Sequence, residues 1–467
     1  MKDLIAINPQ DNVGVLLEPQ DNIPAGHKIA LKDIKRNEPV IKYGMVIGKA
    51  RNDIKEGEWV HTHNLMSHLD EHFSYSYRFK CDELKKNKKT FKGYVRKDGS
   101  VGIRNDIYII PTVGCVNGIC QKLEKEAQQY ISGSIDGIFA LTHQFGCSQL
   151  GEDNENIKKL LCSIAMNPNA TYVLFVGLGC ENNSLKGIKE YLDSKQRDNV
   201  LYFNCQEVTD EFAYGLGLLK KCASEAKKLK REDVSLDKLV IGLKCGGSDG
   251  FSGITANPTI GKVADKVISC GGSAVLTEVP EMFGAEQILM NKCISKDVFN
   301  KFKDLIVNFK KYYTDNGFPV YENPSPGNRE GGISTLEEKS CGCITKAGSS
   351  PIVDVLDYGD RVSVKGLNVL DGPGNDLIAS TALGAAGCQV ILFSTGRGTP
   401  FSTFVPTIKI ATNYNISILK ENWIDFNAYS MDDEGLFNLL IKTINGECKT
   451  KSEDQREIAF YKKGVTL

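Results

Sequence analysis

Residues 239–258 read Leu239-Val-Ile-Gly-Leu-Lys-Cys-Gly-Gly-Ser-Asp-Gly-Phe-Ser-Gly-Ile-Thr-Ala-Asn-Pro258. The apolar run Leu239–Leu243 has the texture of a strand buried on both faces, the kind found in parallel sheets. It stops abruptly in a loop with four glycines that also carries Lys244, Cys245, Ser248, Asp249, Ser252, Thr255 and Asn257. Glycines let a backbone turn sharply and approach a ligand closely. In open α/β sheets, ligands bind just beyond the carboxyl ends of strands. The loop is therefore a candidate lip of a binding site; a tight, solvated surface connection is the plain alternative. Its spacing from Gly246, G-G-x-x-G-x-x-G, is not the dinucleotide fingerprint, and Gly261-Lys262 is followed by Val263, so it is not a P-loop. Phosphate cradling is not indicated, and the side chains suit a small hydroxylated ligand.

The same grammar recurs outward from this stretch. Ile107–Ile110 leads into Pro-Thr-Val-Gly-Cys115, Gly137–Leu141 into Thr-His-Gln-Phe-Gly-Cys147, and Tyr172–Val176 into Gly-Leu-Gly-Cys-Glu181. Ala274–Leu276 leads into Thr-Glu-Val-Pro-Glu281, and Val390–Phe393 into Ser-Thr-Gly-Arg-Gly-Thr-Pro400. Helix-like stretches such as Gly118–Tyr130 and Val298–Tyr313 lie between, and strands alternating with helices predict parallel sheets. Six strands thus end in loops bearing a reactive or charged residue, which predicts a shared cleft. The first 75 or so residues differ. There, short strand-like pieces (Val13–Leu17, Val40–Tyr43, Trp59–His61) are separated by turn signals such as Pro24-Ala25-Gly26 and Glu56-Gly57-Glu58. The fold class expected is α/β: a small β-rich module at 1–78, a charged linker at 79–92, an α/β domain at 93–232 and a C-terminal α/β catalytic domain at 233–467.

Composition narrows the function classes. A chain of 467 residues suggests about three domains. Hydrophobic and charged fractions of 41% and 25% are those of a soluble globular protein, and a net charge of −1 offers no basic field for nucleic acid. The first residues lack an apolar core of signal-peptide length, and no apolar run is long enough to span a membrane. A cytoplasmic protein is expected, with homo-oligomerisation open. The 15 cysteines are odd in number, scattered and free of C-x-x-C pairs, so they are expected to be reduced thiols, mostly small buried hydrophobes.

Of six histidines, five fall in the first 72 residues. His61 and His63, at i and i+2, would share one face of a strand and supply half a metal site; two exposed histidines are the alternative. His27 could join them, while His68 and His72 read as solvated helix positions. His143, beside Cys147, is an acid/base candidate or a satisfied buried histidine. Cys115, Cys147, Cys180 and Cys245 stand at strand exits and could take a soft metal or an iron–sulfur cluster, or serve as the small residues tight loops need. Glu181, Asp249, Glu278 and Glu281 can ligate a hard metal or move protons. Arg397, between two glycines, could hold a carboxylate through two parallel hydrogen bonds; a structural ion pair is its alternative. The polar segment 323–332 is a lid or an exposed connection.

Together these segments resemble the altronate/galactarate dehydratase family. The matching pieces are Gly-Tyr-Val-Arg-Lys-Asp-Gly at 93–99, Val-Gly-Ile-Arg-Asn at 101–105, His143 with Gly146-Cys147, and Gly-Leu-Gly-Cys-Glu at 177–181. The most specific are residues 245–258, Asn-Pro-Ser-Pro-Gly-Asn at 323–328 and Thr-Gly-Arg-Gly-Thr-Pro at 395–400. The resemblance spans nearly the whole chain and implies a SAF (β-clip-like) first module. His61-Thr-His-Asn64 and Glu278 to Glu286 resemble the altronate branch, whereas Cys341-Gly-Cys343 and Arg329-Glu330 depart from the pattern expected near those motifs.

The resemblance implies dehydration of D-altronate to 2-keto-3-deoxy-D-gluconate with ferrous iron as the usual metal. Manganese or magnesium is the variant cofactor, and an iron–sulfur cluster on Cys147, Cys180 or Cys245 is a further option. Removing water across C2–C3 takes a proton from beside a carboxylate, and a cation must stabilise the enediolate. The expected catalytic residues are His143, ranked first as base, with Lys244, Asp249 and Glu278. Arg397, Ser248, Asn257 and Asn328 are expected to bind substrate, and His61, His63 and Glu281 the metal. Alternatives are a lyase of the same family acting on galactarate or a sulfonated hydroxy acid, and a non-catalytic sugar-acid binding protein.

Overall fold

The computed structural model of the chain describes residues 4–69, 74–81, 84–195 and 198–467. Long apolar runs produce two parallel sheets. The first orders its strands β2-β1-β3-β4: β1 (Asp106–Pro111), β2 (Gly137–Ala140), β3 (Ala170–Gly177) and β4 (Val200–Asn204), every pair parallel. The second has seven parallel strands in the order β7-β8-β6-β5-β9-β10-β11. They are β5 (Val240–Gly246), β6 (Ser273–Leu276), β7 (Ile352–Leu356), β8 (Leu367–Leu370), β9 (Val390–Thr395), β10 (Thr407–Ala411) and β11 (Phe426–Asn427). Helices cover both faces, so Ile241, Leu243, Val275, Ile391 and Leu392 are fully buried, as parallel sheets require. The stretch at 239–258 becomes the central strand β5, the loop that follows it, and the start of α1 (Ala256–Ser269).

The N-terminal module is antiparallel. Leu4–Ile5, Val13–Leu16, Lys28–Ala30 and Trp59–Val60 form one sheet, and Pro39–Lys42, Met45–Ala50 and Leu65–Met66 another. Val13, Ile34, Val40, Ile47, Ile54 and Val60 fill the space within the module. A third small sheet pairs Thr90–Val95 with Glu232–Ser235 and Val101–Gly102, and so ties the chain on either side of the first parallel sheet together.

Three expectations change. The six strand exits divide three and three between two sheets, rather than lining one cleft. The strand at Trp59 ends at Val60, and His61–Asn64 is a turn closed by Asn64 N–H and Leu65 N–H donating to the His61 carbonyl at 3.0 and 2.9 Å. The same-face argument for His61 and His63 therefore does not apply. His68 is not helical and its Nδ1 lies 3.0 Å from Glu337; His72 lies outside the described residues. Among the described residues, no helix is long and apolar enough to cross a membrane.

The module rests on the second sheet through α2 (Leu336–Cys343), whose N-cap Thr335 accepts from Glu338 N–H. Glu338 bridges Lys28 and Lys42 of the module at 2.8 and 2.9 Å. Lys339 and Cys343, four residues apart, share another face of the helix and enter the site described next. Gly250 packs so tightly on the module that a Cβ there would lie 1.8 Å from the Gly26 carbonyl oxygen.

Candidate active site

In the seven-stranded sheet the chain runs from β5 to β6, on to the edge strand β7 and back to β8, then crosses to the other side of β5 as β9. Such a reversal opens a crevice at the carboxyl ends of the two diverging strands. Here Gly396 N–H donates to the Gly247 carbonyl at 3.1 Å, so the exits of β5 and β9 meet. Gly246 has no room for a side chain: a Cβ would lie 2.6 Å from an Asp376 oxygen and from the Phe393 ring.

Lys244 is the hub. Its fully buried ammonium donates to Glu278 beyond β6, to the Cys245 carbonyl at 2.7 Å and to Asp376 at 2.8 Å. Asp376 opens α3 (Asp376–Ala385), and its side chain is 40% exposed. Burial opposes the ammonium, but Asp376 and Glu278 outweigh it and hold Lys244 above its ordinary range. Glu278 has φ of 70°, a left-handed backbone costly for a residue with a Cβ and typical of constrained sites. That turn aims its buried carboxylate at Lys244, at Lys346 (2.8 Å) and at Cys245 N–H (3.1 Å). Burial pushes the carboxyl up, yet the two ammoniums keep it below the usual range.

Cys245 and Cys343 face each other with their sulfurs 3.1 Å apart, and Lys346 donates to them at 3.1 and 2.8 Å. The hydrogen bond from Cys343 lowers the Cys245 thiol below its usual range against the effect of burial. Among the described residues, Cys245, Glu278 and Cys343 are the one group of three metal-type donors whose ligand atoms all lie within 4.8 Å. Two sulfurs and a carboxylate suit a thiophilic divalent cation. The Lys346 ammonium, within 3.1 Å of all three, marks where positive charge is held. The donor set therefore fits such a cation.

The other expected residues are placed as follows. Asp249 spends both oxygens on its own loop and the β10 exit, accepting from Thr412 and Asn413 at 2.8 Å, Ser252 at 3.0 Å and Phe251 N–H at 3.1 Å. Asn257 donates to the Gly342 carbonyl and accepts from Ser394, and Asn328 caps its own short helix and donates to the Ser248 carbonyl at 2.8 Å. Arg397, half exposed at the rim, pairs with Glu330 at 3.1 Å. Glu281 pairs with Lys339 at 3.0 Å, and its second oxygen is buried without a hydrogen-bond partner among the described residues.

His143 stays with the first sheet: Nε2 donates to the Pro111 carbonyl at 2.8 Å and Nδ1 accepts from Phe145 N–H at 3.2 Å. Burial lowers it to about 4, so the ring is neutral with both nitrogens engaged. His61 Nδ1 meets Ser334 at 2.7 Å, its ring stacks on Trp59, and burial, with Lys28 next, brings it down to about 4. His63 is exposed and meets Trp59 edge-on. Among the described residues, neither histidine joins Glu281 in a three-donor group. Cys147 and Cys180 are exposed at exits of the first sheet, whereas Cys245 is buried on β5 of the second. Sequence reasoning missed Asp376, Cys343 and Lys346. The first was signalled only by the turn-rich run Asp371-Gly-Pro-Gly-Asn-Asp376, the second by the unusual Cys-Gly-Cys.

The comparisons agree with this architecture. Residues 2–68 match the altronate/galactarate dehydratase SAF domain, residues 93–227 the second domain of D-galactarate dehydratase/altronate hydrolase, and residues 236–466 the D-galactarate/altronate dehydratase C-terminal domain. The chain is 49% identical to an altronate dehydratase of Bacillus subtilis, over 100% of both chains. It is 45% identical to the altronate dehydratase of Escherichia coli, over 98% of this chain and 94% of that one. Against the L-threo-forming galactarate dehydratase of Escherichia coli it is 31% identical, covering 94% and 89%. The protein is an enzyme, a hydro-lyase of sugar acids. It belongs to the altronate/galactarate dehydratase family.

Proposed function

We propose that this chain dehydrates D-altronate to 2-keto-3-deoxy-D-gluconate in the crevice between the β5 and β9 exits. The observation that carries the reading is Lys244, a buried ammonium set between Glu278 and the partly exposed Asp376. Removing the C2 proton builds charge on the substrate carboxylate, and a preorganised ammonium stabilises that charge without reorganising. Asp376 takes the C2 proton, because its carboxylate is the one on Lys244 that reaches the open crevice. The C2–H electrons form the C2–C3 double bond as the C3–O bond breaks. Asp376 then passes that proton to the departing C3 hydroxyl, which leaves as water, while the Lys244 ammonium holds the Asp376 carboxylate in place through their 2.8 Å hydrogen bond. The enol then becomes the 2-keto acid. Arg397 exchanges Glu330 for the substrate carboxylate at the rim. Asp249, Asn257 and Asn328 hold the loop rather than the ligand.

Ferrous iron is the cofactor we propose, with Cys245, Cys343 and one Glu278 oxygen as donors. It would supply Lewis-acid stabilisation of the developing charge. Iron content separates this ligand set from the histidine pair: Cys343→Ser loses iron, while His61→Ala/His63→Ala retains it.

The test of substrate is an anaerobic assay of altronate, galactarate and sulfolactate with ferrous ion, scored for 2-keto-3-deoxy acid or sulfite. Turnover of galactarate or sulfolactate but not altronate would overturn the substrate assignment. For the base, Asp376→Asn is expected to stop exchange of the C2 hydrogen with deuterated solvent. Exchange at the parent rate would remove Asp376 from that role.

A further inference from the structure

The two sulfurs at the site support a modification that the dehydration does not use. Cys245 ends β5 and Cys343 ends α2, 98 residues apart in sequence, yet their sulfurs lie 3.1 Å from each other and both are buried. A disulfide bond is about 2.05 Å long, so closure needs the sulfurs to approach by about 1 Å. We propose that Cys245 and Cys343 form a reversible disulfide with a hydroperoxide as oxidant, and that the crosslinked chain is catalytically silent.

The Cys245 sulfur attacks the peroxide O–O bond, forming Cys245 sulfenic acid and releasing the second oxygen as hydroxide or alkoxide, which the thiol's proton converts to water or an alcohol. The Cys343 sulfur then attacks Cys245 sulfur and expels the sulfenic oxygen as water. Two electrons leave the sulfur pair and two oxygens are reduced. Lys346 donates to both sulfurs, so it stabilises the charge developing on whichever one attacks. Cys341, two residues away, is buried beside Glu337 and Glu338 instead. Crosslinking removes two of the three metal-type donors and leaves Lys346 facing Glu278 alone. Silence rests on the reading that this cluster belongs to the active site; the bond itself needs only the two sulfurs.

The experiment treats the full-length, metal-free chain with hydrogen peroxide, blocks remaining thiols with N-ethylmaleimide and digests without reductant. Trypsin cuts after Lys244, Lys262, Lys339 and Lys346, so peptide 245–262 should appear joined to peptide 340–346 with the mass of two hydrogens lost. Activity with ferrous ion and altronate should fall with the crosslinked fraction and return after dithiothreitol. In Cys343→Ser the crosslink should vanish and dimedone should trap Cys245 sulfenic acid. The parent mapping stands alone if that variant does not fold. Oxidation confined to exposed Cys115, Cys147 and Cys180, or Cys245 going to sulfinic acid uncrosslinked, overturns the switch and leaves the active-site reading intact. A crosslinked chain that retains full activity overturns the silencing and removes the cluster from the active site.

Discussion

Glu338→Gln keeps the shape of a side chain and removes the negative charge at the joint between the N-terminal module and α2. The carboxylate accepts from Lys28 at 2.8 Å and Lys42 at 2.9 Å, with all three side chains at most 1% exposed, and Ser334 N–H adds a bond at 2.8 Å. Burial opposes its charge, but Lys28 and Lys42 outweigh burial and hold the carboxyl at about 2 instead of 4.5. By proton linkage that interval amounts to about 3 kcal/mol of stability. Breaking a buried ion pair gives a compatible figure of about 3–5 kcal/mol, because the ammoniums are left without a counter-charge. A depressed carboxyl stabilises the fold fully above its unfolded value, and that contribution is lost as pH falls from 4.5 toward 2. The gap between the parent and Glu338→Gln should therefore be full at neutral pH and narrow below 4.5. The assay is urea unfolding followed by Trp59 fluorescence. Trp59 stacks on His61 in the module, and Trp423→Phe removes the second of the two tryptophans. A loss below about 1 kcal/mol, the worth of an exposed pair, would refute the reasoning, as would a gap that ignores pH.

Three further outcomes are expected. Arg397→Lys should raise KM for altronate about tenfold, the worth of one charged hydrogen bond, while leaving the melting temperature unchanged because the Glu330 pair is half exposed; steady-state kinetics and calorimetry check both. Gly250→Ala sets a Cβ against the Gly26 carbonyl and should cost about 1–3 kcal/mol as overpacking, together with most activity, measured by thermal unfolding and turnover. His143→Asn should lower the melting temperature by breaking backbone hydrogen bonds, yet leave the shape of the kcat pH profile unchanged, since the neutral ring is engaged at both nitrogens.

Much of the framework is legible residue by residue. The runs at 107–110, 172–176, 239–243 and 390–393 announce buried parallel strands because nothing polar interrupts them. The strands Leu367–Leu370 and Thr407–Ala411 escape notice, since Asn368 and Lys409 interrupt their apolar runs. Lys244, Cys245 and Glu278 are legible as candidate site residues because they come just after apolar runs. Asp376, Cys343 and Lys346 are not, because they lie on or just after helices 97 or more residues from β5, where side-chain identity carries no record of what it faces. His143 shows the converse: a reactive residue in a strand-exit loop is spent on its own backbone.

The sequence by itself determined that the chain is α/β with an N-terminal β module, that β5 is a buried parallel strand, and that a glycine-rich loop follows its carboxyl end. These follow from local periodicity and from the backbone freedom of glycine. Only the tertiary structure decided that the six exits belong to two sheets, that α2 carries Lys339 and Cys343 into the site while Glu338 locks the module, and that Lys346 sits between two sulfurs. Strand order and helix docking are set by packing between distant segments, and a buried ammonium reads as ordinary surface lysine until the carboxylates and thiols that neutralise it are brought within 3 Å or so.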